Sequence, residues 1–202
     1  MNTKKFLFYL LAALLGGCVP VLSLHPLYTD KDIVYEEKLL GTWIDDKDPN
    51  DKTIWQFSKA DKPEKAYKLI FSDNKDKKGA FIAHLVKLQD KLFFDVYPSE
   101  PQGEQQDPNT IKWPYNFFLA IPCHTFLKID SVEPNLTMRM TDDEKMKELF
   151  REEPNATEHT TIEDKPLLTA PTEKLQAFAL KYAEDDRVFT GEIVLNRKKS
   201  KD

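Results

Sequence analysis

The chain has 202 residues and carries 34 acidic against 29 basic side chains, a net charge of −5. That length supports one domain with a proper core and is short for two. The negative balance, with no basic stripe to offset it, repels nucleic acid and anionic lipid, so nucleic-acid binding is set aside.

At the N-terminus Lys4 and Lys5 precede an unbroken apolar run over residues 6–15, the layout of an export signal. The run is too short to span a bilayer, which takes about 20 apolar residues. Leu15-Gly16-Gly17-Cys18 follows, with two small residues that suit a peptidase cleft. Behind such a run the tetrapeptide resembles the lipobox of bacterial lipoproteins. The resemblance implies cleavage before Cys18, a diacylglycerol thioether on its sulfur and an acylated amino group, so that Cys18 is the lipid-attachment residue. Two or more chains on one residue give stable anchoring, each buried methylene contributing about 0.8 kcal/mol. The competing reading, an uncleaved spanning helix continued through residues 19–24, is interrupted by Gly16, Gly17 and Pro20. Val19 stands where aspartate marks inner-membrane retention in enterobacterial lipoproteins, which implies the periplasmic face of the outer membrane.

Removing residues 1–17 leaves 185 residues with 27 basic and 34 acidic side chains, a net charge of −7. With Cys18 lipidated, Cys123 has no partner in the chain. Two readings stand for it, a buried inert thiol or a reactive or intermolecular one.

Residues 18–37 read as the lipidated cysteine and an extended leader, punctuated by Pro20 and Pro26, that lifts the domain off the membrane. Within it Ser23-Leu24-His25-Pro26-Leu27-Tyr28-Thr29, with Leu40-Gly41-Thr42-Trp43 downstream, resembles the opening of a family of uncharacterised bacterial lipoproteins. His25 reads as an aid to docking the leader, since no second ligand stands at a metal-binding spacing.

From Trp43 the chain breaks into short alternating segments separated by charged turns. Thr53, Trp55 and Phe57 share one strand face, and Tyr67, Leu69 and Phe71 share a face of the next. A turn over residues 73–79 leads into a hairpin of residues 81–88 and 92–97. Such punctuation points to a mainly β domain. Gly41-Thr42-Trp43 resembles the Gly-x-Trp opening of lipocalins and their calycin relatives, in which the tryptophan plugs one barrel end against an arginine after the last strand. Arg197, closing the strand over residues 189–196, fills that place; the later lipocalin Thr-Asp-Tyr motif is absent. The resemblance implies an up-and-down antiparallel β-barrel over residues 38–198, closed by Trp43 and Arg197, with residues 199–202 as a tail.

The pattern lapses over residues 98–122, a proline-punctuated excursion that carries Trp113, Tyr115, Phe117 and Phe118. Strand patterning returns at residues 124–132 and 136–141, where Leu136, Met138 and Met140 point one way. Thr141 with Glu144 reads as a capping box for a helix with a Met146, Leu149 and Phe150 stripe that Pro154 stops. A second helix begins near Pro171 with Leu175, Phe178, Ala179 and Tyr182 at helical spacing. Both short helices are expected outside the barrel or across one end.

One polar arrangement follows from the hairpin. If Gln89-Asp90 form a two-residue turn, Leu88 pairs with Lys91, and counting outward sets His84 opposite Asp95 on one face. Facing inward, the pair could orient a polar ligand group; otherwise it is a structural pair. Cys123 and His124 face opposite sides of an extended strand and cannot act together. The sequence has no Gly-x-Ser-x-Gly elbow, Cys-x-x-Cys, His-x-x-x-His or phosphate loop, so no catalytic residue, metal or cofactor is assigned. The expected function is an envelope-anchored lipoprotein whose barrel binds a small apolar or amphipathic molecule. The alternative is an interaction or structural lipoprotein that holds a protein partner in the envelope.

Overall fold

A computed structural model describes residues 20–45, 53–72, 78–99 and 121–198. Cys18, the turn at 73–77, residues 100–120 with their aromatic group, and the tail lie outside the described residues. Among the described residues eight strands form a closed antiparallel barrel: β3 (Gly41–Asp45), β4 (Thr53–Lys59), β5 (Ala66–Ser72), β6 (Lys78–Leu88), β7 (Lys91–Pro98), β8 (Thr125–Ser131), β9 (Leu136–Met140) and β12 (Thr190–Arg197). Each pairs with its neighbour in chain order, and β12 returns to β3 to close the cylinder. The architecture is mainly β and up-and-down, compatible with a lipocalin-like fold.

The interior is built by alternation. Trp43, Phe57, Tyr67, Leu69, Leu85 and Phe94 point inward and are almost wholly buried, with Leu136, Met138 and Leu195 behind them. Phe57 stacks on Phe94 at 5.3 Å between centroids, and Tyr67 meets both edge-on at 6.2 Å. β6 and β7 are apolar on both faces because both are covered. Ala83 and Leu85 line the inside, while Val86, Leu88 and Phe93 belong to a second core outside the barrel wall. That is why residues 81–88 read as an almost continuous apolar run.

The outer core is covered by an insertion between β9 and β12: α1 (Asp143–Glu152), a hairpin of β10 (His159–Ile162) and β11 (Lys165–Leu168), and α2 (Thr172–Lys181). Met146, Leu149, Leu175 and Phe178 supply its buried face. The α1 cap is Asp142, whose carboxylate accepts from Lys145 N at 2.9 Å, one residue later than the expected Thr141 box. The Thr141 hydroxyl is used elsewhere, accepting Val21 N–H at 2.9 Å. Past α2, Glu184 accepts from Lys91 (2.8 Å), Lys128 (2.9 Å) and Arg139 (2.9 Å), tying that turn to β7, β8 and β9.

The leader differs most from expectation, for it does not stand off from the domain. β1 (Leu22–Ser23) pairs in parallel with β11, and Ser23 exchanges two 2.9 Å backbone hydrogen bonds with His124. β2 (Ile33–Val34) extends the sheet beside β6, and a 3-10 turn (Glu37–Leu39) leads into β3. Val21, Ser23 and Leu27 are buried. A polar backbone can be buried only where its groups find partners, and here side chains remote in sequence supply them. The Thr172 hydroxyl donates to Pro26 O at 2.9 Å, and the Gln176 amide donates to Leu27 O at 2.9 Å.

Candidate functional site

The polar constellation expected from the hairpin lies where the leader crosses β6 and β7. Gln89, in the left-handed region at φ 56°, and Asp90 form the turn, Leu88 pairs with Lys91, and His84 lies across from Asp95. Both point to the outer face, away from the barrel interior, because Val86 and Phe93 on the same face belong to the outer core. Asp95 is fully buried. Its carboxylate accepts from Leu27 N–H at 2.7 Å and from His124 Nδ1 at 2.6 Å. The structure thus brings His124 to Asp95, while the Nδ1 of His84 is buried without a hydrogen-bond partner. Tyr28 lies over His84 at 4.3 Å and Tyr97 over His124 at 4.6 Å.

The electrostatics follow from burial. Loss of solvent pulls the His84 pKa down, with Asp95 opposing and His124 adding to the shift, so neutral imidazole is favoured. Burial first, and then the Asp95 charge, pushes the Tyr28 phenol up to about 12. A carboxylate already held by two donors, beside a neutral imidazole, fixes the leader to the barrel. Beside it a cavity of about 340 Å³ opens between the leader and the β4–β5 turn, lined by Tyr28, Asp30, Ile33, Lys65 and His84. His25 is exposed, and its backbone meets the Ser23 hydroxyl, while Pro26 and Leu27 carry the hydrogen bonds with Thr172, Gln176 and Asp95 that dock the leader.

At the far end Arg197 lies over Trp43, with its guanidinium carbon 4.2 Å from the ring centroid. The two residues are direct partners across the β12–β3 seam. The Trp43 indole donates to Leu39 O at 2.9 Å; Arg197 donates to Leu40 O at 2.7 Å and also to Lys38 O. Gly41 sits between them at φ +124°, where a Cβ would stand 2.9 Å from an Arg197 nitrogen. Glycine is thus favoured by the backbone conformation, and a side chain there would also push the end of Arg197 aside.

Cys123 is a free, half-buried thiol whose pKa burial raises. It lies just before β8 and lines a groove with Leu22, Leu24 and Ile121, while its neighbour His124 turns to Asp95. Among the described residues no group of three or more His, Cys, Asp or Glu side chains is placed to hold a metal ion, and no helix is long and apolar enough to cross a membrane.

The chain matches no family model, no curated protein and no solved structure at a significant level. Its functional reading therefore rests on its own residues. Of those that matter, sequence reasoning missed His124 as the Asp95 partner, Leu27 N–H as its second donor and Gln176 as the clamp on the leader. His124 had a signal, since it directly precedes β8, the strand that pairs with β7.

Proposed function

We propose that the protein is an envelope lipoprotein, anchored through Cys18, whose barrel is a rigid platform for a protein partner rather than a container for a ligand. The observation that carries this reading is the filling of the barrel interior by the protein's own aromatic and aliphatic side chains, from Trp43 and Phe57 to Phe94 and Met138. Small barrels hold either side chains or a ligand in that space. Three cavities lined by described residues open on the outside of the barrel instead. The leader and helices add a second packed layer, which stiffens the scaffold that a binding surface needs.

In-cell photocrosslinking of the full chain, with probes at exposed positions on the barrel and on the helices, tests the proposal. One reproducible protein adduct from one face is expected. Adducts scattered over all faces at the level of an unrelated lipoprotein would contradict it.

A second reading is favoured by His84. Its unpartnered buried nitrogen beside the 340 Å³ cavity suits a small polar molecule held outside the barrel. Chemical-shift changes confined to His84 and Tyr28 when a metabolite pool is added would support it.

A further inference from the structure

We propose that the groove formed by Leu22, Leu24, Ile121 and Ile162 rests on the membrane and seats the barrel against the apolar layer of the bilayer. The proposal builds on the reading of Cys18 as the lipidated residue. Among the described residues the exposed large hydrophobic side chains are Leu22 (43% exposed), Leu24 (37%), Ile121 (73%) and Ile162 (56%). They come from three separate parts of the chain, the leader, residue 121 and β10, and converge on one groove of about 460 Å³. Scattered single apolar residues on a surface are ordinary, whereas their convergence on one patch marks a contact site.

Covalent geometry identifies the occupant. Pro20 lines the same groove, and it is two residues from Cys18. A fully extended chain spans at most about 3.6 Å per residue, so acyl chains carried on Cys18 would be tethered within about 7 Å of Pro20. No slack is gained beyond Pro20. Val21 is buried, its N–H donates to the Thr141 hydroxyl at 2.9 Å, and its carbonyl accepts from the Thr125 hydroxyl at 3.1 Å. Acyl chains that enter the bilayer at Cys18 therefore bring this groove to the membrane surface before any other part of the domain. With 27 basic against 34 acidic residues in the lipidated chain, attraction to anionic headgroups does not drive the contact. The rim carries one lysine, Lys165, against Glu163 and Asp143, so the apolar side chains make it.

The test uses the full chain, processed and lipidated in a bacterium and reconstituted in phosphatidylethanolamine–phosphatidylglycerol vesicles. An environment-sensitive fluorophore is attached through Ile162→Cys, or as a control through Gln56→Cys on exposed β4, each in a Cys123→Ser background. Lipids carrying a nitroxide on the acyl chain should quench the probe at position 162 at least threefold more than the one at 56. Adding Leu22→Asp and Leu24→Asp should remove that difference while the protein still floats with the vesicles. Equal quenching at both positions in a floating, lipidated protein would overturn the proposal alone. So would a probe at 162 that is shielded from both nitroxide lipid and aqueous iodide, since a protein partner or second copy would then fill the groove. Mass spectrometry of the Cys18 peptide reads the anchor separately, and a peptide without acyl chains would remove the anchor reading and this proposal with it.

Discussion

At the scale of single residues, the barrel seam and the leader seam each depend on a group that only one residue type can supply. Gly41→Ala places a side chain at φ +124° and 2.9 Å from Arg197. Strain of that kind costs about 1–3 kcal/mol, and denaturant unfolding should show a loss of that size with Trp43 fluorescence altered in the native state. A variant as stable as the parent would contradict the strain assigned to this backbone conformation. Asp95→Asn should cost about 1.5–3 kcal/mol, the range for hydrogen bonds to a charged group, and should speed exchange of the Leu27 amide before that of the barrel strands. The pH dependence has a definite sign. Burial depresses the folded His84 pKa below its ordinary 6.5, so its contribution to stability is present above that value and lost as pH falls through the folded pKa. Glu184, held down to about 2 by hydrogen bonds from Lys91, Lys128 and Arg139, adds stability that is lost between about 4.5 and 2. Melting temperature followed against pH should decline first below 6.5, and His84→Gln should flatten that first segment while leaving the second.

At the scale of elements, what sequence could show depended on where the partners lie. The β6–β7 register could be counted outward from Gln89-Asp90 because a two-residue turn fixes it locally. The face of the sheet could not, because both faces of these strands are buried and apolar. β10 and β11 gave no signal, since β10 is mostly exposed and offers no alternation. The leader looked like a spacer because its strands are two residues long and its hydrogen-bond partners are remote: Thr141 lies 120 positions from Val21, and Gln176 lies 149 from Leu27. The α1 cap moved by one residue for the same reason, with Thr141 drawn to the leader and Asp142 left to serve the helix. Asp142→Ala should therefore cost about 1 kcal/mol from the loss of the cap. Thr141→Val should instead release the leader, read as faster proteolysis near Val21 with helix content unchanged.

At the scale of the whole molecule, one up-and-down barrel is wrapped by a second layer, and the chain's own N-terminal stretch is part of that layer. Alternating strands, spaced turns and the Trp43–Arg197 pair made the barrel legible in the sequence. Whether its interior is open depends on how side chains from distant strands interlock, as Phe57, Tyr67 and Phe94 do, and no local pattern reports that. The barrel interior is filled by its own residues, and the proposed function has it act through its outer surface while anchored at Cys18. Native mass spectrometry of the chain, purified from its membrane and stripped of detergent in the gas phase, tests this most directly. The expected mass is that of the chain from Cys18 onward plus its acyl groups and nothing more; a further stoichiometric apolar molecule retained by the folded barrel would contradict it.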